Sequence, residues 1–188
     1  MSLAIVQSRA EHGVSAMEVS VEVHLSGGLP SFSIVGLPEA AVRESRDRVR
    51  SALIACNFEF PRKRITVNLA PADLPKAGGR YDLPIAIGIL AAAGVLPQAS
   101  LQNHVFIGEL ALTGALRRTR GGLVTALSLV EAGNQLVLPR DGAEEVSVVP
   151  GLELQAADLL LQVFAGLAGE SGFLTVPSPE PGHRSWTD

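Results

Sequence analysis

Hydrophobic and polar residues alternate from Met17 to Leu25, with Val19, Val21, Val23 and Leu25 on one side and Glu18, Ser20, Glu22 and His24 on the other. This pattern predicts a strand with one buried face. Leu3 to Gln7 and Phe32 to Val35 are shorter strand candidates, and Gly27-Gly28-Leu29-Pro30 reads as the turn between the second and third strands. The amino-terminal part is thus expected to be a small sheet. From Pro38 the period lengthens: Val42, Val49, Leu53 and Cys56 share a helical stripe, and Pro38 suits a first turn. Arg64 to Ala70 alternates again, with Ile65, Val67 and Leu69 on one face, whereas Leu83 to Ala93 is apolar nearly all round and predicts a buried helix.

Beyond Gly94, Val105 to Ile107 and Ala111 to Leu116 read as two strands joined by a tight connection. Gly122 to Ala132 reads as a helix closed by Gly133-Asn134. Gln135 to Leu138 is a strand candidate, Gly142 to Val146 a short helix, Leu152 to Gln155 a strand and Ala156 to Ala168 the last helix. Strands and helices mixed around one sheet argue for an α+β fold rather than a regular βαβ array.

A chain of 188 residues that is 47% hydrophobic can build one sizeable core. We read residues 1–175 as that domain and 176–188, Pro-rich and polar, as a linker. The net charge of −4 offers no broad attraction for a polyanion, so any contact with nucleic acid must be local. The single Cys56 excludes a disulfide framework, no secretory signal is visible, and the longest apolar run, around Leu83 to Leu96, is too short to span a bilayer. A cytoplasmic location without membrane contact is the expectation.

Candidate chemistry concentrates in the loop Pro71 to Asp82. Asp73 or Asp82 is expected to cap the buried helix, with Pro84 in its first turn and Gly78-Gly79 allowing a sharp reversal. Lys76 and Arg80, on a glycine-flexed loop beside a helix N-terminus, are candidate anion or subunit contacts. Arg43, Arg46 and Arg50 share a helix face, but Glu39, Glu44 and Asp47 stand at ion-pairing spacing, which reads as a solvated surface. Arg62-Lys63-Arg64 and Arg117-Arg118-Thr119-Arg120 contain no acidic residue and are the better candidates for phosphate or subunit contact. His12, His24, His104 and His183 show no metal-ligand spacing, so no metal site is expected.

Three long segments, VGLPEAAVRESRDRVRSAL at 35–53, RITVNLAPADLPKAGGRYDLPIAIGIL at 64–90 and IGELALTGALR at 107–117, resemble the N-terminal domain of the magnesium-chelatase-subunit-like AAA+ family of the ComM (YifB) type. The resemblance implies a Lon-protease-domain-like fold, shared with the second domain of a small-subunit ribosomal protein and containing a left-handed βαβ crossover. It further implies that the full protein forms hexameric rings and uses ATP and magnesium to drive branch migration of DNA in natural transformation. No GxxxxGK[ST] occurs in the chain, and neither of its two lysines, Lys63 and Lys76, follows a glycine. ATP binding and hydrolysis are therefore expected in a further AAA+ domain, with no cofactor in this fragment and with self-association, and DNA at most locally, as its interactions. Lon-type proteases need a serine just before the buried helix and a lysine at the start of a later one; the matching positions fall near Tyr81 and near Leu123 or Val124. A non-catalytic domain is the leading expectation and a Lon-superfamily hydrolase with an unrecognised site the alternative.

Overall fold

The computed structural model describes residues 2–177. Strands β1 (Ser2–His12) and β2 (Ser15–Ser26) form an antiparallel hairpin in register from Ser2↔Leu25 to His12↔Ser15. Gly13, at φ 61°, makes the reversal with Val14, as two-residue hairpin loops require. The chain then continues through β3 (Ser31–Val35), α1 (Ala40–Arg43), α2 (Ser45–Ala55), β4 (Arg64–Ala70) and α3 (Asp82–Ala92). A 3-10 turn (Gln98–Leu101) leads to β5 (His104–Phe106), β6 (Glu109–Leu110), β7 (Leu116–Arg117) and α4 (Gly122–Leu129). The last elements are β8 (Gln135–Pro139), α5 (Ala143–Val146), β9 (Leu154–Ala157) and α6 (Leu160–Leu167).

One seven-stranded sheet runs in the order β3-β4-β2-β1-β5-β8-β9, and β6 with β7 forms a separate small hairpin. β2 pairs antiparallel with β1 on one side and with β4 on the other, whereas the β3–β4, β1–β5, β5–β8 and β8–β9 pairs are parallel. The sheet is therefore mixed and mostly parallel, and its β5-α4-β8-α5-β9 half is the βαβ array that an α+β reading does not anticipate. The expected turn at 27–30 does reverse the chain between β2 and β3, but the two strands do not pair: β4 lies between them, and β3 occupies an edge.

Local boundaries shift for identifiable reasons. Strand β1 extends five residues past Gln7, because its polar end is paired to the start of β2. The single helix expected from Pro38 is two, broken at Glu44. Residues 111–115 form the turn of the β6–β7 hairpin rather than a strand: Ala111 N–H donates to Ala115 O at 2.9 Å, and Gly114 sits at φ 90°. β9 begins two residues later than expected and carries 156–157 into the sheet, so α6 starts only at Leu160.

Two apolar clusters sandwich the sheet. Val19, Val21, Val23, Ile65, Val67 and Leu69 face α2 and α3, joined by Phe106, Val137 and Ala157 farther along. The alternate residues Val105, Leu136, Leu138 and Ala156 face the other way, under Ala126 and Leu129 of α4 and Ala143 and Val146 of α5. Helix α3 is buried on every side, as its all-round apolar sequence predicts, and burial of Leu83, Ile85, Ile87, Ile89 and Leu90 stabilises the fold by about 1.5–3 kcal/mol each. Gly88 lets it approach so closely, since a Cβ there would meet Val23 and Val6. Where β5 has not yet begun, the Gln98 side chain takes the place of a strand on β1: it accepts from Ile5 N–H at 3.2 Å and donates to Ile5 O at 2.9 Å.

Candidate functional site

The loop from Pro71 to Tyr81 leaves the C-terminal end of β4 and enters α3. Gly78, at φ 76°, provides the sharp reversal expected of it, and Gly79 lies against the Glu109 carboxylate. Pro84 falls in the first turn of α3, as expected, whereas the readings of the two cations and of the helix cap are corrected. Lys76 is 0% exposed and Arg80 5% exposed, so neither is a cation held out to a ligand.

Lys76 instead stitches two loops of its own chain together. Its ammonium donates to the carbonyls of Gly36, at 2.7 Å, and Pro71. Its backbone accepts from Glu39 N–H at 2.9 Å and donates to Leu37 O at 3.3 Å, beside the Pro38↔Lys76 bridge. Burial pushes its pKa down and the Asp73 carboxylate works against that shift. Arg80 ties three further segments. Its guanidinium donates to Arg9 O at 3.2 Å and to Arg120 O, and lies 3.6 Å from the Glu11 carboxylate. Burial lowers its pKa as well, with Tyr81 and Glu11 opposing.

Asp82 does not cap α3; nor does Asp73, which is exposed. Asp82 is the first helical residue, fully buried, and its carboxylate is a hub. It accepts from Arg48 Nε at 2.6 Å and Arg48 Nη2 at 3.1 Å, from Leu110 N–H at 3.0 Å and from Ser45 Oγ. One carboxylate thus joins α2, α3 and β6 through charge-assisted bonds, the stronger kind. The hydrogen bond to Asp82 raises the Arg48 pKa against the effect of burial. The α3 N-terminus is likewise spent internally: Asp82 N–H donates to Gly79 O, Leu83 N–H to Gly108 O and Ile85 N–H to Tyr81 O, while Pro84 has none. No free N–H cradle for an anion remains there.

Tyr81, where the resemblance would set a Lon-type nucleophile, is 0% exposed, and its hydroxyl has no hydrogen-bond partner among the described residues. Burial pushes its pKa up to about 12 from 10, partly offset by Arg80. Because the folded value lies above the unfolded one, this group's contribution to stability is complete below pH 10 and is lost as the pH rises to about 12. Two units correspond to about 2.7 kcal/mol. Tyr81 is the only tyrosine, so the tyrosinate absorbance of the native protein should titrate near pH 12 and that of the urea-unfolded chain near 10. Tyr81→Phe should remove the alkaline loss and, by deleting an unpaired buried hydroxyl, raise neutral-pH stability by about 1–3 kcal/mol. A native titration near pH 10 would contradict the buried placement.

Two adjoining clefts flank the Arg118-Thr119-Arg120 segment. One, of about 630 Å³, is bordered by Glu11, Gly78, Gly79, Arg80 and Glu109. The other, of about 460 Å³, lies between the start of α4, with Leu123 and Val124, and α5. The basic run at 117–120 is exposed at Arg117, Arg118 and Arg120, but it is not free of acid: Arg118 pairs with Glu145, a partner 27 residues away. Glu11, Glu109 and Asp141 also border the clefts. Arg62, Lys63 and Arg64 are exposed at the beginning of β4. The structure does not bring the two runs together. Arg64 pairs with Ser26, whereas Arg120 O binds Arg80 beside Arg9, the partner of Glu18 in β2. Eight residues of β2 separate those ends, roughly 27 Å at a strand's rise per residue.

On α2, the ion-paired surface holds at Arg48–Glu44, 3.6 Å apart. Arg46 donates to Phe32 O on the edge strand, and Arg50 lies over the Phe60 ring at 5.2 Å. Arg48, Ser45 and Glu11 are the residues that sequence reasoning missed. Each acts on a partner 34 to 69 residues away, and no local spacing marks it.

Residues 21–142 match the family described as the ChlI subunit of Mg-chelatase. YifB of Escherichia coli K12, an uncharacterized protein, is 50% identical over 179 residues, which is 95% of this chain and 35% of that protein. The competence protein ComM of Haemophilus influenzae is 52% identical over 170 residues, 90% of this chain and 33% of ComM. An uncharacterized protein of Mycobacterium tuberculosis is 38% identical over 92% of this chain. The chain spans about a third of the length of each of these relatives. With that family match over most of the chain, and with half its residues shared with YifB and ComM, this protein belongs to the ChlI-like Mg-chelatase-subunit family.

Proposed function

We propose that this chain is a non-catalytic N-terminal module of a cytoplasmic ComM-like AAA+ protein, serving assembly of a hexameric ring whose missing domain binds ATP and magnesium and drives DNA branch migration. The observation that carries the reading is the self-satisfied loop: Lys76, Arg80 and Asp82 bind carbonyls, amides and side chains of their own chain, leaving none poised for substrate. The positions a Lon-type dyad would need hold a buried Tyr81 and the apolar Leu123 and Val124. The Lon-protease-domain-like architecture, with its left-handed crossover, belongs to the same proposal. Its natural place is the unit β3-α1-α2-β4, in which β3 and β4 are parallel neighbours.

Assembly is favoured over DNA guidance because the exposed basic runs lie at opposite ends of the sheet, and that at 117–120 is interleaved with acids. Neither forms a continuous track for a phosphate backbone. The second reading, DNA guidance, draws on the exposed Arg62-Lys63-Arg64 run. Duplex titrations of this chain over a range of salt separate the two. If phosphates are contacted, neutralising Arg62, Lys63 and Arg64 should shrink the slope of log affinity against log salt by roughly 0.7–0.9 per contact, alike for unrelated sequences. The assembly reading expects no such slope for this chain, with or without the substitutions.

A further inference from the structure

Helix α4 reads GLVTALSL and continues into Val130, with no charged residue between Arg120 and Glu131. A helix that is apolar all round belongs in an interior. Among the described residues only one side of α4 is covered: Thr125, Ala126 and Leu129 are buried, and Ala126 and Leu129 pack with the sheet and α5. Leu123, Leu127 and Val130 recur at i, i+4 and i+7: Leu123 is half-buried at the edge of the cluster, whereas Leu127 is 59% and Val130 38% exposed. Val148, just past α5, is 56% exposed. The 460 Å³ cleft between α4 and α5 adjoins this stripe.

The last described residues return to this layer of the fold. After α6, Leu174 N–H donates to Ala156 O at 2.8 Å on the far edge of β9. Val176 then packs on the cluster beneath α4 and α5, as Leu123 does, and Ser147 Oγ donates to Pro177 O at 3.4 Å. Pro177, the last described residue, thus lies next to Val148 at the end of α5, in the layer that also holds α4. The relatives are about three times as long as the segment matched, so a body large enough to cover it exists in them.

We infer that the Leu123–Leu127–Val130 face of α4, together with Val148, is the seat of the domain that follows Pro177 in the full-length protein. The inference rests on the proposal that an ATPase domain follows there. Docking would bury the stripe and fix the angle between the ring-packing module and the ATPase, with the Arg118–Glu145 pair at the rim.

The test is thiol labelling of full-length Leu127→Cys and Val148→Cys with a small maleimide, read peptide by peptide in a mass spectrometer. Val14→Cys, in the hairpin turn where Val14 is 97% exposed, is the reference. The docked face should label at least about tenfold more slowly than the reference, because a thiol inside an interface reacts only when the interface opens. Labelling as fast as the reference at both positions overturns the proposal. Protection that vanishes on dilution also overturns it, since the cover is then a second copy. ATP binding by the same full-length protein is measured alongside: protection without ATP binding would sink the ATPase reading and leave the docked face standing, whereas ATP binding without protection would do the reverse.

Discussion

Replacing Asp82 with Ala is expected to lower the stability of this protein by about 3–5 kcal/mol, the range for removing one partner of a buried ion pair. The side chain is 0% exposed and that of Arg48 only 20%, so the guanidinium left behind would be largely desolvated and without a counter-ion. The Leu110 N–H and the Ser45 hydroxyl would lose their acceptor as well. For a chain of this size that loss corresponds to a melting temperature lower by on the order of 10 °C. Asp82→Asn, which keeps an acceptor for Leu110 but not the charge, should fall in between. The double variant Arg48→Ala, Asp82→Ala should cost less than the sum of its parts, since each single change already breaks the shared contact. If Asp82→Ala melts within about 2 °C of the parent, the hub is not holding α2, α3 and β6 together.

Gly36→Ala is expected to be as damaging, for a backbone reason. Gly36 has φ 103°, a conformation L-residues rarely adopt, and a Cβ there would be driven into the carbonyl of Leu69. Leu69 cannot move aside, because β4 is hydrogen-bonded to β2 on one side and β3 on the other. The Gly36 carbonyl also receives the Lys76 ammonium, so a shift there releases the stitch between the two loops. We expect a loss of about 4 kcal/mol or more, in the range reserved for steric conflict in the core. Gly28→Ala is the control. Its φ of 118° is similarly unusual but nothing lies within 4 Å of a Cβ, so only the backbone strain of about 1–2 kcal/mol should appear. Equal losses at the two positions in urea unfolding would show that the contact with Leu69 is not the cause.

The sequence made the local pieces legible and the long-range ones not. The alternation of β2 and β4 and the all-round apolar α3 were readable because each pattern is a direct consequence of which faces are buried. Placement of β3 beside β4 rather than β2 was not, since a turn-forming Gly-Gly-Leu-Pro run suits a crossover as well as a hairpin. The candidate loop was found but misread. Lys76 and Arg80 look like exposed cations until the fold supplies Gly36, Pro71, Arg9 and Arg120 as acceptors. Asp82 looks like a helix cap until α2 brings Arg48 and Ser45 to it from 34 and 37 residues away. Arg118 reads as unpaired for the same reason, its partner Glu145 lying on α5, 27 residues further along the chain.

The 117–120 run is where the account is most exposed to test. In a full-length protein carrying Arg117, Arg118 and Arg120 all changed to Ala, oligomer mass can be measured by native mass spectrometry with ATP present. Interface charges act on association and register, so the assembly reading predicts that the ring mass seen in the parent disappears while ATP binding persists. A full ring in the variant, accompanied by weakened DNA affinity, would contradict the proposal that this domain serves assembly.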